Sequence, residues 1–66
     1  MELIINGEAH EYLKPLTVQE LLQQLNLNAE RVIVEINRTI LSPTGHNETE
    51  LKQGDTIELV QFVGGG

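Results

Sequence analysis

The chain has 66 residues, no cysteine and ten acidic side chains against four basic ones, which gives a formal net charge of −6. A single small domain of this size has no room for an enclosed substrate cavity, so an autonomous enzyme is not expected. The acidic surface repels phosphate backbones, and no apolar run reaches the length of a membrane span, so neither nucleic acid nor a membrane is an expected partner. The lack of cysteine excludes disulfides and zinc-thiolate sites and favours a cytoplasmic location.

The first predicted elements form an antiparallel hairpin. Residues 2–5 are β-prone and stop at Asn6-Gly7, a dipeptide that suits a type I′ turn because both residues tolerate positive φ. Residues 8–13 then run back beside the first strand. Pro15 ends this pairing, because proline lacks the amide proton that a sheet ladder requires.

A capping box marks the start of a helix. The hydroxyl of Thr17 can accept from the amide of Glu20, whose side chain can reach back to the amide of Thr17, so the helix is predicted to begin at Val18. Apolar residues at helical spacing then form one stripe: Val18, Leu21, Leu22 and Leu25. One face of this helix is therefore expected to cover a sheet.

The segment 32–37 is the best candidate for a central strand, because it is dense in β-branched residues. Alternation separates Val32 and Val34 from Ile33 and Glu35, which are expected on the opposite face.

The second half of the chain is predicted to contain a short edge strand at 39–41, a polar loop at 42–50, and a final strand that follows a turn at 54–55. This element order predicts an α+β domain in which a mixed sheet of four to five strands packs on one helix. The first and last strands can then lie side by side in the middle of the sheet. The predicted fold is a β-grasp domain over residues 1–63.

The last three residues, Gly64, Gly65 and Gly66, follow this final strand without a polar linker. Because glycine has no Cβ, such a tail can pass through a channel that is too narrow for side chains. The alternative is a frayed end or the remnant of a cloning linker, but linkers commonly mix serine with glycine, and serine is absent here. We expect residues 64–66 to be a flexible tail whose own carboxylate is the reactive group.

The chain resembles the ubiquitin-like β-grasp family and, within it, the ThiS family of sulfur carrier proteins of thiamine biosynthesis. The resemblance covers the whole length and is carried by Asn6-Gly7, the helix start at 17–22, the strand at 34–37, the turn at 54–55 and the segment 57–66. It implies a ubiquitin-like carrier that is not itself an enzyme and that binds no cofactor or metal. It also implies three partners: an E1-like adenylating enzyme of the ThiF type that consumes ATP, a thiazole synthase of the ThiG type, and a sulfur donor such as a cysteine desulfurase.

The same resemblance assigns roles to the tail. Gly66 matches the terminal residue that is adenylated and then converted to a thiocarboxylate. Gly65 matches the second glycine, which lets the backbone enter the narrow groove of the enzyme. Gly64 stands where the family often has another small residue.

A partner-binding surface is expected just before the tail, where Val60, Phe62 and Val63 end the final strand. If the alternate residues of this strand face the helix, Val60 and Phe62 join Ile4 and Ile33 on a sheet face that no second helix covers. Exposed apolar patches of this kind mark interaction surfaces. The alternative is that these side chains only close the far side of a thin core.

Three other functions are compatible with this sequence: a MoaD-type small subunit of molybdopterin synthase, which tends to be longer, a ubiquitin-like protein modifier, and an inert β-grasp interaction module. His10 and His46 have no partner at metal-ligand spacing, and both are predicted to be solvated. We expect the free protein to be a monomer.

Overall fold

The computed structural model describes residues 1–61. Five strands, one α-helix and two short 3₁₀ helices follow one another in this part of the chain: β1 (Glu2–Ile5), β2 (Glu8–Glu11), α1 (Val18–Gln24), a first 3₁₀ helix (Ala29–Arg31), β3 (Val32–Ile36), β4 (Thr39–Leu41), a second 3₁₀ helix (Pro43–Gly45) and β5 (Thr56–Gln61). No helix within residues 1–61 is long and apolar enough to cross a membrane.

The strands form one mixed sheet in the order β2-β1-β5-β3-β4. β1 and β5 are parallel neighbours, and the other three pairs are antiparallel. This topology confirms the predicted α+β architecture, with the first and last strands side by side in the middle of the sheet.

The β1–β2 hairpin turns at Asn6 and Gly7, as predicted. Their φ angles are 49° and 84°, and Ile5 pairs with Glu8, so the loop has the two residues of positive φ that a type I′ turn requires.

The second strand of the hairpin is shorter than predicted. It ends at Glu11, which lies opposite Glu2, the first residue of β1. The N-terminal ammonium of Met1 then donates a hydrogen bond to the carbonyl of Tyr12 at 2.6 Å. Leu13 therefore has no neighbour in the sheet, and it is 99% exposed.

Helix α1 begins at the predicted capping box. The amide of Glu20 donates to the hydroxyl of Thr17 at 3.1 Å, and the amide of Thr17 donates to the carboxylate of Glu20 at 2.9 Å. The predicted apolar stripe is also confirmed, since its first three members are buried and the fourth packs against them: Val18, Leu21, Leu22 and Leu25.

The helix covers only one face of the sheet, which we call the closed face. Buried strand residues fill it: Leu3, Ile5, Val32, Val34 and Ile57. Leu16 and Leu51 complete this core at the ends of the loops, where the amide of Leu51 donates to the carbonyl of Leu16 at 2.8 Å. The other face, which we call the open face, carries the residues between them in the alternation: Ile4, Ile33, Glu35, Ile40, Glu58 and Val60.

The prediction that His46 is solvated is wrong, because its side chain is only 4% exposed. The loop that contains it is tied to the first turn of α1: the amide of Val18 donates to the carbonyl of Thr49, and the amide of Gln19 donates to the carbonyl of His46, both at 2.9 Å. These bonds hold the loop against the start of the helix, and the imidazole is buried there. Neither of its nitrogens has a hydrogen-bond partner within residues 1–61.

Candidate functional site

Most of the predicted site lies just beyond the described part of the chain. Five of the predicted site residues are outside residues 1–61: Phe62, Val63, Gly64, Gly65 and Gly66. The sixth, Val60, belongs to β5 and can be placed. The structure therefore describes β5, the strand that precedes these residues in sequence.

β5 is the middle strand of the five, and its two sides are well separated. Ile57 is fully buried and Leu59 packs against the core, as predicted for the side that faces the helix. Because β5 is parallel to β1, its final residues lie at the same end of the sheet as the Asn6-Gly7 turn.

Val60 is on the open face, as predicted, and is 57% exposed. It lies directly opposite Ile33 of β3, which is 38% exposed, so the two side chains form an apolar cross-strand pair. Ile4 is half-buried on the same face.

Ile40 of β4 extends this apolar surface and is 69% exposed. It was not predicted as a site residue, because a strand of three residues is too short for alternation alone to assign its faces. Its pairing opposite Glu35 in β3 places it on the open face.

Two carboxylates stand beside this apolar pair. Glu35 of β3 lies directly opposite Glu58 of β5, and like charges in this arrangement destabilise a sheet. The ion pair found among residues 1–61 joins Met1 to Glu11, so neither glutamate is neutralised by a basic group of this part of the chain. The open face therefore combines an apolar centre with uncompensated negative charge.

The histidine and carboxylate side chains of residues 1–61 do not form a metal site. No group of three or more histidine or carboxylate side chains there is arranged to hold a metal ion. What this domain presents is a surface and, in sequence, a glycine tail that continues from the strand at the centre of that surface.

A five-stranded mixed sheet on one helix, followed by a short glycine tail, defines the class of ubiquitin-like β-grasp proteins. Within this class, the chain belongs to the ThiS family, whose family model matches residues 3–66. It is 42% identical to the sulfur carrier protein ThiS of Bacillus subtilis over 65 residues, which cover 97% of this chain and 98% of that protein. It also matches the crystal structure of the thiamine biosynthesis protein ThiS from Geobacter metallireducens, with a TM-score of 0.85, 38% identity and full coverage of both chains.

A second kind of relative is much longer. The chain is 36% identical over all 66 residues to the thiazole synthases of Paramagnetospirillum magneticum and Magnetococcus marinus, and it spans only 20% of their length. A segment similar to this chain is therefore part of a larger polypeptide in those two proteins.

Proposed function

We propose that this protein is a sulfur carrier of thiamine biosynthesis and that it serves as a co-substrate of other enzymes rather than as a catalyst. The observation that carries the proposal is its similarity, over nearly the whole of both chains, to the sulfur carrier protein of Bacillus subtilis. The fold supports it, because residues 1–61 expose apolar side chains on the open face and end in β5, which precedes the tail in sequence.

The proposed reactive group is the carboxylate of Gly66. A carboxylate is a poor acyl donor until one of its oxygens becomes a good leaving group, and dividing the reaction into two steps solves this problem. In the first step, a carboxylate oxygen attacks the α-phosphorus of ATP and pyrophosphate leaves. In the second step, sulfur at the oxidation level of sulfide attacks the acyl carbon, AMP leaves with the oxygen, and a thiocarboxylate remains.

The adenylating enzyme is proposed to be of the ThiF type and to bind ATP itself. The open face supports docking to such a partner, because Val60 and Ile33 expose an apolar pair at the centre of the sheet. Phe62, two residues beyond Val60 in sequence, is proposed to contribute to the same binding surface. Gly64 and Gly65 are proposed to pass through the narrow entrance of the active site, where a side chain would clash.

The charge of the open face favours a partner with basic groups around an apolar centre. Glu35 and Glu58 lie directly opposite each other on neighbouring strands, an arrangement that is unfavourable for like charges, and a lysine or arginine of the partner would offset it on binding. With a net charge of −6 on the chain, complementary charge would also accelerate the encounter.

The acceptor of the sulfur is proposed to be a thiazole synthase of the ThiG type. The relatives from Paramagnetospirillum magneticum and Magnetococcus marinus support this, since a thiazole synthase that contains a segment similar to this chain would keep carrier and acceptor together. A cysteine desulfurase is proposed as the source of the sulfur: it would supply a persulfide, and a thiol reductant, itself oxidised to a disulfide, would lower the outer sulfur to the oxidation level of sulfide.

The proposal is tested by mixing the protein with ATP and a purified ThiF-type adenylating enzyme and measuring pyrophosphate release. The full chain is expected to release pyrophosphate, and a chain that lacks Gly66 is not, because its carboxylate falls about 3.5 Å short. If the full chain released none, or if the shortened chain released as much, the proposed function would be refuted.

A further inference from the structure

The side chain of Asn6 is bonded to the last part of β5. Its Oδ1 accepts from the amide of Leu59 at 2.8 Å, and its Nδ2 donates to the carbonyl of Leu59 at 3.3 Å, across 53 residues of sequence. A carboxamide has one donor side and one acceptor side, like a peptide unit. The side chain of Asn6 therefore bonds to β5 in the way that the backbone of one more residue of β1 would.

The pairing of β1 with β5 explains why a side chain is used here. The amide of Asn6 donates to the carbonyl of Ile57 at 2.9 Å, and in a regular parallel ladder its own carbonyl would next accept from the amide of Leu59. The backbone of Asn6 instead turns away toward β2, with a φ of 49°. The side-chain oxygen takes the place of the carbonyl and continues the ladder.

Asn37 repeats this arrangement at the opposite end of β5. It begins the β3–β4 turn with the same φ of 49°, its amide donates to the carbonyl of Thr56 at 2.8 Å, and its Oδ1 accepts from the amide of Thr56 at 3.0 Å. Its Nδ2 binds Asp55 instead of β5. The central strand is thus held at its start by one turn asparagine and near its end by the other.

We propose that Asn6 is a positioning residue for the transfer reaction, which is an inference that rests on the function proposed above. The last residue of β1 that pairs with β5 is Ile5, opposite Ile57. Beyond this point, the side chain of Asn6 provides the hydrogen bonds between the β1 side of the sheet and β5. Without them, Leu59 would be paired only with β3, as Gln61 already is. The strand end from which the tail continues would then be in place in only a fraction of the molecules.

A reduced competent fraction has a defined kinetic consequence. The apparent affinity of the adenylating enzyme for the carrier falls in proportion to that fraction, while the reaction of the bound carrier is unaffected. The loss is therefore expected in KM for the carrier, with kcat retained.

The test compares Asn6→Gly with Asn37→Gly, since glycine tolerates positive φ and both changes remove the same side-chain acceptor. With a ThiF-type enzyme and ATP, Asn6→Gly is expected to raise KM for the carrier by up to tenfold, the largest change in the competent fraction that losing interactions worth about 1.4 kcal/mol can produce. Asn37→Gly is expected to lower Tm about as much as Asn6→Gly does and to leave KM unchanged. Amide exchange at Leu59 should accelerate in the first variant only.

Asn6→Asp provides a second test, and it carries the comparison if Asn6→Gly does not fold. Aspartate tolerates the turn and keeps the acceptor for the amide of Leu59, but it loses the donor to the carbonyl. Its KM is expected to lie between those of the wild type and of Asn6→Gly. If the Asn6 variants and Asn37→Gly shared one KM while the wild type released pyrophosphate, the positioning role would be refuted and the proposed function would stand; a wild type without activity would refute the function itself.

Discussion

Both faces of this sheet carry β-branched apolar residues, but these residues lie in very different environments. Ile57 and Ile33 lie on neighbouring strands, yet the first is fully buried against the helix and the second is 38% exposed on the open face. Val34 and Val60 differ in the same way. The comparison indicates that the closed face stabilises the domain, whereas the apolar residues of the open face are available to a partner.

The largest effect is expected from a substitution in the tail. This substitution tests whether the open face alone is sufficient for activity. Replacing Gly65 by valine should abolish pyrophosphate release, because a branched side chain would clash in the narrow entrance. Circular dichroism and Tm should stay at wild-type values, since Gly65 follows the last residue of β5 by four positions in sequence. A variant that is adenylated at the normal rate would contradict the proposed channel.

Two matched substitutions test the division between the faces. Ile57→Ala is expected to lower the free energy of unfolding by about 2–5 kcal/mol, because it leaves a cavity under the helix. Ile33→Ala should cost about 1 kcal/mol or less, since its side chain already contacts water.

The binding measurement should show the reverse order. By calorimetric titration with the adenylating enzyme, Ile33→Ala is expected to raise Kd, whereas folded Ile57→Ala is expected to bind like the wild type. If Ile33→Ala and Ile57→Ala lost the same free energy of unfolding in urea, or if Ile33→Ala left Kd unchanged, the open face would only complete the core.

A smaller effect is expected from the helix cap. Thr17→Ala removes the acceptor for the amide of Glu20 and should lower the free energy of unfolding by about 1 kcal/mol. Because this cap is part of the helix that covers the closed face, Kd for the adenylating enzyme should not change. Weaker binding by the folded variant would show that the helix is part of the interface.

The smallest expected effect concerns charge on the open face. Glu58→Gln removes the repulsion with Glu35 and should stabilise the domain by about 0.2–1 kcal/mol. It should also slow association with the adenylating enzyme in stopped-flow measurements and reduce the salt dependence of the rate. Glu48→Gln, which removes the same charge from an exposed loop, is the control; equal effects of the two would leave only the net charge as an explanation.

The fold could be predicted because its signals are local. Asn6-Gly7 specifies a hairpin turn, Thr17 and Glu20 specify a helix start, and alternation in β3 assigns its two faces. These features depend on residues within a few positions of one another, so the sequence contains them directly.

Two features that depend on distant contacts were not predicted. His46 is buried because carbonyls of its loop accept from the first turn of α1, and no neighbouring residue indicates this. The bond from Asn6 to Leu59 joins two strands that become neighbours only in the folded sheet. Of the site, the sequence predicted the exposure of Val60 and Ile33, whereas Ile40 required the pairing of β4 to be known.

The most direct test of the account is the intact mass of the protein after reaction with ATP, a ThiF-type adenylating enzyme and inorganic sulfide. We predict a mass gain equal to the replacement of one oxygen by one sulfur, located at Gly66 by fragmentation and absent when ATP is omitted. An unchanged mass under conditions in which a known carrier is converted, or attachment to another protein through Gly66, would contradict the account.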